Sequence, residues 1–285
     1  MNLDVDYLQQ WVGNTQTESE RLDQWPVIGL MATLNRPASQ WPSENDPLPP
    51  TAHWSYCIPR VLQSQIGADG HPERGDFLPP VPLPRRMWAG SRIRYEAPMP
   101  IGAQVTRTAR IKTVTTKEGR SGLLAFVTVE HTYICNGQIA RIEEQDLVYR
   151  DHPSSDAPAP TARPAPSNPE WSQPIQTDEV TLFRYSAITF NGHRIHYDHP
   201  YVTNDEGYSG LVVHGPLIAT FLLEAWQTAN LTRAIRRFEF KAIKPVFCHT
   251  RLAAEGHHSE DSGRSHLWAT SDRGELHMEA EVDWE

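Results

Sequence analysis

No stretch of the 285-residue sequence is apolar over the 18 or so residues that a membrane-spanning helix requires. A helical membrane span is therefore excluded, and no membrane partner is expected. Cysteine is scarce: Cys57, Cys135 and Cys248 form no C-x-x-C or other short ligand spacing, which argues against a disulfide scaffold or a zinc ribbon. A reducing cytoplasm is the expected setting. Lysine is scarcer still, with 4 residues among 26 basic ones, against 35 acidic residues. The formal charge of −9 and pI near 5.8 exclude the basic footprint of a nucleic-acid binder. The opening MNLDVDYLQQW carries acids where a signal or transit peptide carries Lys or Arg, so no targeting segment is expected. The other 22 basic residues are arginine, whose planar fork suits carboxylates and phosphates.

Proline is in excess, at 24 residues, and its placement is informative. Six prolines fall in 151–170, DHPSSDAPAPTARPAPSNPE, a composition that cannot bury a core and favours extended chain. The segment reads as a linker between residues 1–150 and 171–285; the alternative is a surface loop, unusual at that length. The charge is uneven across it, net −1 in residues 1–150 and −8 in the rest.

Before the linker, residues 88–96, 103–115, 122–135 and 139–149 are rich in Val, Ile, Thr and Tyr and read as strands, with a hairpin signal at Asn136-Gly137. Short helices are expected over 4–12 and within 49–65. After the linker, 176–190 is expected to begin with a short strand or turn. Residues 213–230 hold the strongest helical pattern, with Leu217, Ile218, Phe221, Leu222, Ala225 and Trp226 at helical spacing and Pro216 in the first turn. Strands are expected at 235–243, 246–256, 265–271 and 275–284. Each half is thus α+β, an antiparallel sheet with helical material.

The chemistry concentrates in Arg184-Tyr185-Ser186-Ala187-Ile188-Thr189-Phe190-Asn191-Gly192-His193-Arg194-Ile195-His196-Tyr197-Asp198, followed by His214-Gly215-Pro216-Leu217. Three readings compete. In the first, His196 is an acid/base group, Asn191 holds a water through its amide, and the Gly215 N–H at a helix start polarises an acyl oxygen. Adding water to an unsaturated thioester needs that set, as does the reverse dehydration. In the second, His193, His196 and His199 bind a metal, although residues six apart diverge on a regular helix. In the third, the histidines only satisfy buried backbone groups.

The string Asn191-Gly-His193-Arg194-Ile-His196-Tyr-Asp198, with Val213-His214-Gly215 after it, resembles the signature of MaoC-like (R)-specific enoyl-CoA hydratases. The family pattern is Gly-Asp-x-Asn-Pro-(Ile/Leu)-His followed by a Val-His-Gly helix start. Here Asn191 stands in place of the family's Asp, His193 in place of its Asn and Arg194 in place of its Pro. The variant string, together with Trp11-Val12-Gly13, Leu22-Asp23, Ala32-Thr33-Leu34 and Pro84-Arg85-Arg86-Met87-Trp88-Ala89-Gly90, resembles a two-hot-dog branch. That branch includes mesaconyl-C4-CoA and itaconyl-CoA hydratases and mitochondrial-type 3-hydroxyacyl-ACP dehydratases.

The resemblance implies a tandem hot-dog fold, with a sheet wrapped around a central helix in each half. It implies a hydratase for a branched or C5 dicarboxylyl acyl-CoA, needing no cofactor and no metal. The catalytic residues would be Asn191, His196 and Gly215, with Tyr185, His193, Arg194 and His214 around the substrate and the N-terminal half non-catalytic. An ACP dehydratase and a catalytically silent thioester-binding protein are the alternatives, and pairing of hot-dog units makes a homodimer plausible. With Asn at 191, His196 carries the proton transfer alone. Asp198 either orients the His196 imidazole or caps a turn. Arg184 and Arg194 are candidates for a substrate carboxylate, and Arg85, Arg86, Arg92 and Arg94 for the phosphates of CoA.

Overall fold

A computed structural model of the chain describes residues 3–119, 122–152, 162–230, 233–259 and 263–285. The first half supplies strands β1 (Thr15–Arg21), β2 (Arg85–Tyr95), β3 (Gln104–Gly119), β4 (Gly122–Cys135) and β5 (Gln138–Arg150). The second supplies β6 (Trp171–Ile175), β7 (Ile235–Ala242), β8 (Leu252–Ser259), β9 (Arg264–Ser271) and β10 (Leu276–Trp284). All ten join one antiparallel sheet in the order β1-β3-β4-β5-β2-β7-β10-β9-β8-β6. Read outward from the centre, the halves repeat one another, since β2-β5-β4-β3-β1 has the same chain order as β7-β10-β9-β8-β6.

The halves meet where β2 pairs with β7, from Gly90 opposite Lys241 to Arg94 opposite Arg237. A Cβ at Gly90 would lie 2.3 Å from the Phe240 carbonyl oxygen, so only glycine allows this approach. The pairing of hot-dog units that suggested a dimer is thus supplied inside one chain.

Helix α5 (Gly215–Ala229) lies against β2, β6, β8, β9 and β10. Its Leu217, Leu222 and Trp226 are fully buried with Phe238 and Met278 of the sheet. Burying each such side chain contributes about 1.5–3 kcal/mol, and this drives the helix onto the sheet. In the first half, α2 (Gln24–Thr33) places Val27, Leu30 and Met31 in the same core and packs on α3 (Glu179–Thr189). The short α1 (Val5–Gln9) closes a smaller cluster through Leu8, with Ile111, Val127 and Tyr149. Among the described residues no helix is long and apolar enough to cross a membrane.

Several elements differ from expectation. Residues 179–189 are helical, because the strand ends earlier at Ile175 and Asp178 caps the helix by accepting the Thr181 N–H at 2.7 Å. Residues 49–65 hold only two 3-10 turns, Ala52–Ser55 and Gln63–Gln65, since Pro49, Pro50 and Pro59 interrupt any longer helix. The strand expected from 246 begins at Leu252. Of the linker, 153–161 lie outside the described residues. Its later part runs along the second half, with the Ala165 N–H donating to Gly274 and the Glu170 N–H to Gly256.

Candidate active site

Four histidine rings form a row across the boundary between the halves. His196 ends a 3-10 turn (Arg194–His196), and its ring stacks on His214 at 3.6 Å and 18°. His193 meets His196 edge-on at 5.5 Å and lies 4.0 Å from His71 of the first half. At the other end the ring of Tyr185, on α3, stands 4.9 Å from His214. The string identified in the sequence therefore does converge, but with a partner from residues 67–71 that its spacing could not reveal.

Backbone pairing sets the orientation of His196. The Val212 N–H donates to the Ile195 carbonyl at 3.0 Å, and the Val212 carbonyl accepts from His196 Nδ1 at 2.7 Å. This assigns the proton to Nδ1 and leaves Nε2 as a free lone pair. Nε2 has no hydrogen-bond partner among the described residues, yet it is not a sealed, unsatisfied atom. Burial pushes the His196 pKa down to about 4, against the opposing pull of the Val212 carbonyl, so the ring is a neutral base near pH 7. Burial likewise holds His193 and His214 well below the usual histidine range. His214 is fixed by Ser186 Oγ at 2.9 Å from its Nε2.

Directly after His214, Gly215 opens α5, and the Gly215 N–H has no partner among the described residues. A free N–H at the start of a 15-residue helix is a ready donor to a developing oxyanion. Asn191 follows Phe190, which ends α3 in the left-handed region at φ 49°. Asn191 Oδ1 accepts the His193 N–H at 3.0 Å, leaving the amide NH2 as its available donor.

The arginines and Asp198 have other duties. Asp198 caps α4 (His199–Asn204) by accepting the Tyr201 N–H and pairs with Arg194 at 2.8 Å; the Val212 carbonyl, not Asp198, orients His196. Arg194 also donates to the Ala68 carbonyl at 3.0 Å and lies over the Tyr201 ring, so it ties the halves together rather than reaching for substrate. Arg184 is exposed and points to the Ala32 carbonyl. Arg85 is buried against Glu206, Arg92 pairs with Glu144 and Asp146, and Arg94 pairs with Glu96. Trp88 is held by Ser91 and packs on Trp54 and Phe240, which makes it a core aromatic.

His199 is exposed and takes no part in a ligand set with His193 and His196. A cluster that does gather at this site is Asp69, His71 and His193, each offering a ligand atom, all within 4.8 Å of one another; a second among the described residues is Glu179, Cys248 and His249. Asp69 Oδ2 there accepts from His71 Nδ1 at 3.1 Å, and Asp69 Oδ1 accepts the His71 N–H at 2.9 Å. Sequence reasoning passed over this pair because Ala68-Asp69-Gly70-His71 is a short loop motif with no periodic signal. Gly70 has φ +88°, and a Cβ there would lie 1.9 Å from the Gly192 carbonyl oxygen. The Arg194 N–H donates to the Asp69 carbonyl at 2.9 Å across the same contact. The first half thus forms one wall of the site. Its own buried histidine, His53, is closed, with Nδ1 2.9 Å from the Pro50 carbonyl and Nε2 3.0 Å from Glu143.

Residues 51–248 match the family described as hydroxyacyl-thioester dehydratase type 2. The chain belongs to this family. As a hydroxyacyl-thioester dehydratase type 2 relative it is an enzyme of the hydro-lyase class. It is 45% identical over 238 residues to a mesaconyl-C(4)-CoA hydratase of Chloroflexus aurantiacus, covering 83% of this chain and 84% of that one. It is 27% identical over 260 residues to the mitochondrial hydroxyacyl-thioester dehydratase type 2 of Schizosaccharomyces pombe, covering 81% and 86%. A MaoC-like dehydratase from Phytophthora capsici superposes with a TM-score of 0.70 at 15% identity over 99% of both chains, which places the fold as a tandem hot dog.

The buried imidazoles predict acid lability for this family member. His53 and His196 are pushed to about 4, each first by burial, while an unfolded histidine titrates near 6.5. Between those values the unfolded chain binds protons that the folded chain does not. Stability is therefore fully present above pH ~6.5 and falls as the pH drops toward ~4. The expected loss is on the order of a few kcal/mol. Urea midpoints measured across this window should decline; a flat profile would contradict the neutral, buried assignment.

Proposed function

We propose that this enzyme adds water reversibly to an α,β-unsaturated C5 dicarboxylyl-CoA, with mesaconyl-C4-CoA or itaconyl-CoA as substrate. The observation that carries the reading is the His196 imidazole, anchored through Nδ1 with Nε2 free, one stacked ring away from the Gly215 N–H. The likeness to the Chloroflexus hydratase supports the substrate. The three unpaired cysteines suit a reducing cytoplasm.

In the forward direction, His196 Nε2 takes a proton from water as the water oxygen bonds to the β-carbon. The double-bond electrons move toward the thioester oxygen, where the Gly215 N–H holds the enolate-like charge. The imidazolium then returns the proton to the α-carbon and the carbonyl re-forms. Water is added, and no charge remains on enzyme or product. The Asn191 amide NH2 holds the water oxygen while leaving its proton free for His196.

Loss of enoyl-thioester absorbance, followed with mesaconyl-C4-, itaconyl- and crotonyl-CoA and with the corresponding ACP esters, tests the proposal. Fastest turnover is expected on a dicarboxylyl-CoA. Preference for ACP esters would make the chain a fatty-acid dehydratase, and no turnover on any ester would make it a binding protein.

A further inference from the structure

The row of rings has a direction. From one end it runs His71, His193, His196, His214 and then Gly215. If the thioester oxygen sits at Gly215 and the reacting carbons at His196, whatever is attached beyond the β-carbon lies toward His193 and His71. In mesaconyl-C4-CoA that substituent is the free carboxylate.

Arg86 is placed for it. Side chains alternate across a strand, so on β2 Arg86 leaves on the face opposite Arg85 and on the same face as Trp88. The Trp88 carbonyl lies 3.7 Å from the Cβ position of Gly215, so β2 runs alongside the first turn of α5. Burial is the main cause of the lowered pKa at His71 and His193, and at Asp69 the contacts with His71 overcome burial; the Arg86 charge adds a smaller lowering at all three.

Nearby basic groups are spoken for. Arg85 is in its buried pair with Glu206, Arg194 pairs with Asp198, and Arg74 donates to the Val81, Leu83 and Pro84 carbonyls. Arg86 is half-buried, with no ion pair or hydrogen bond among the described residues. Asp69, the carboxylate of the cluster, is already taken by His71. A guanidinium partly withdrawn from water and lacking an anion is costly, and a ligand carboxylate is its natural partner.

We propose that Arg86, from the half expected to be non-catalytic, receives the free carboxylate of the substrate and sets specificity for dicarboxylyl over monocarboxylyl thioesters. This rests on the hydratase reading above for its substrate class. The CoA phosphates are the other source of an anion, but they lie beyond the thioester, away from the His71 end of the row.

Succinyl-CoA and butyryl-CoA separate the two sources, because both are saturated and carry the same phosphates while only the first has a second carboxylate. The wild-type enzyme should bind succinyl-CoA about 10- to 100-fold more tightly than butyryl-CoA. Arg86→Gln should erase that preference while leaving butyryl-CoA binding unchanged, and Arg86→Lys should retain part of it. Equal weakening of both ligands by Arg86→Gln, or a preference that survives it, would overturn the proposal. Wild-type turnover of mesaconyl-C4-CoA judges the reaction separately. Carboxylate preference without turnover would remove the hydratase reading and keep Arg86, whereas turnover with Arg86-independent discrimination would do the reverse.

Discussion

Replacing His196 with alanine is expected to lower kcat for hydration by about a hundred- to ten-thousand-fold, with KM little changed. The asymmetry follows from where the residue acts. Nε2 makes no contact that holds the protein together, whereas the stability role of the ring runs through Nδ1 to the Val212 carbonyl and through stacking on His214. The proton moves only in the transition state, so its loss appears in kcat. A base held down to about 4 by burial should also keep kcat/KM level from neutral pH to about pH 5 and lose it as Nε2 protonates below that. Steady-state kinetics of the variant decide the matter. Near-normal turnover in His196→Ala would end the assignment, and a rise in KM alone would make His196 a binding residue.

The largest stability effect is expected at Arg85. Replacing it with methionine should cost about 3–5 kcal/mol, read as a lower urea midpoint. Arg85 Nε meets Glu206 Oε2 at 2.9 Å with both side chains 5% exposed, and the guanidinium lies 4.3 Å from the Tyr208 ring centre. Removing the arginine strands a carboxylate whose other contact is the Tyr201 hydroxyl at 3.2 Å. The pair also joins β2 of the first half to the loop after α4 in the second, so the loss falls on the joint between them. Replacing Glu206 with glutamine as well should restore part of the stability, because no uncompensated charge then remains. If the double variant is less stable than Arg85→Met by the full cost of a second independent lesion, the two residues are not coupled.

Much of the architecture was legible because local periodicity encodes it. Four strands of the first half alternate Val, Ile, Thr and Tyr, the Asn136-Gly137 turn joins β4 to β5, and the apolar spacing of α5 marks a helix buried on most sides. Strand β1 was illegible because Thr15–Arg21 is polar throughout and pairs only with β3 at the edge of the sheet. Helix α2 was illegible because it shows little amphipathic contrast, even though Asp23 stands at its N-cap. In the site, His196 and Gly215 could be named because their spacing carries a signature.

The amino-acid sequence by itself determined the tandem α+β organisation, the acidic and cysteine-poor character, and the string that carries the candidate base and oxyanion donor. Those properties are written in composition, short-range periodicity and neighbouring residues. Only the tertiary structure decided that the halves share one ten-stranded sheet and that Val212 rather than Asp198 orients His196. It also decided which charged residues are spent on each other, binding Arg194 to Asp198 and leaving the Arg86 side chain without an ion pair among the described residues. Apart from the Arg194–Asp198 pair, which is local, those outcomes depend on segments that meet only in the folded chain, such as His196 with Val212 and Gly70 against Gly192, and no local pattern records which distant backbone will arrive.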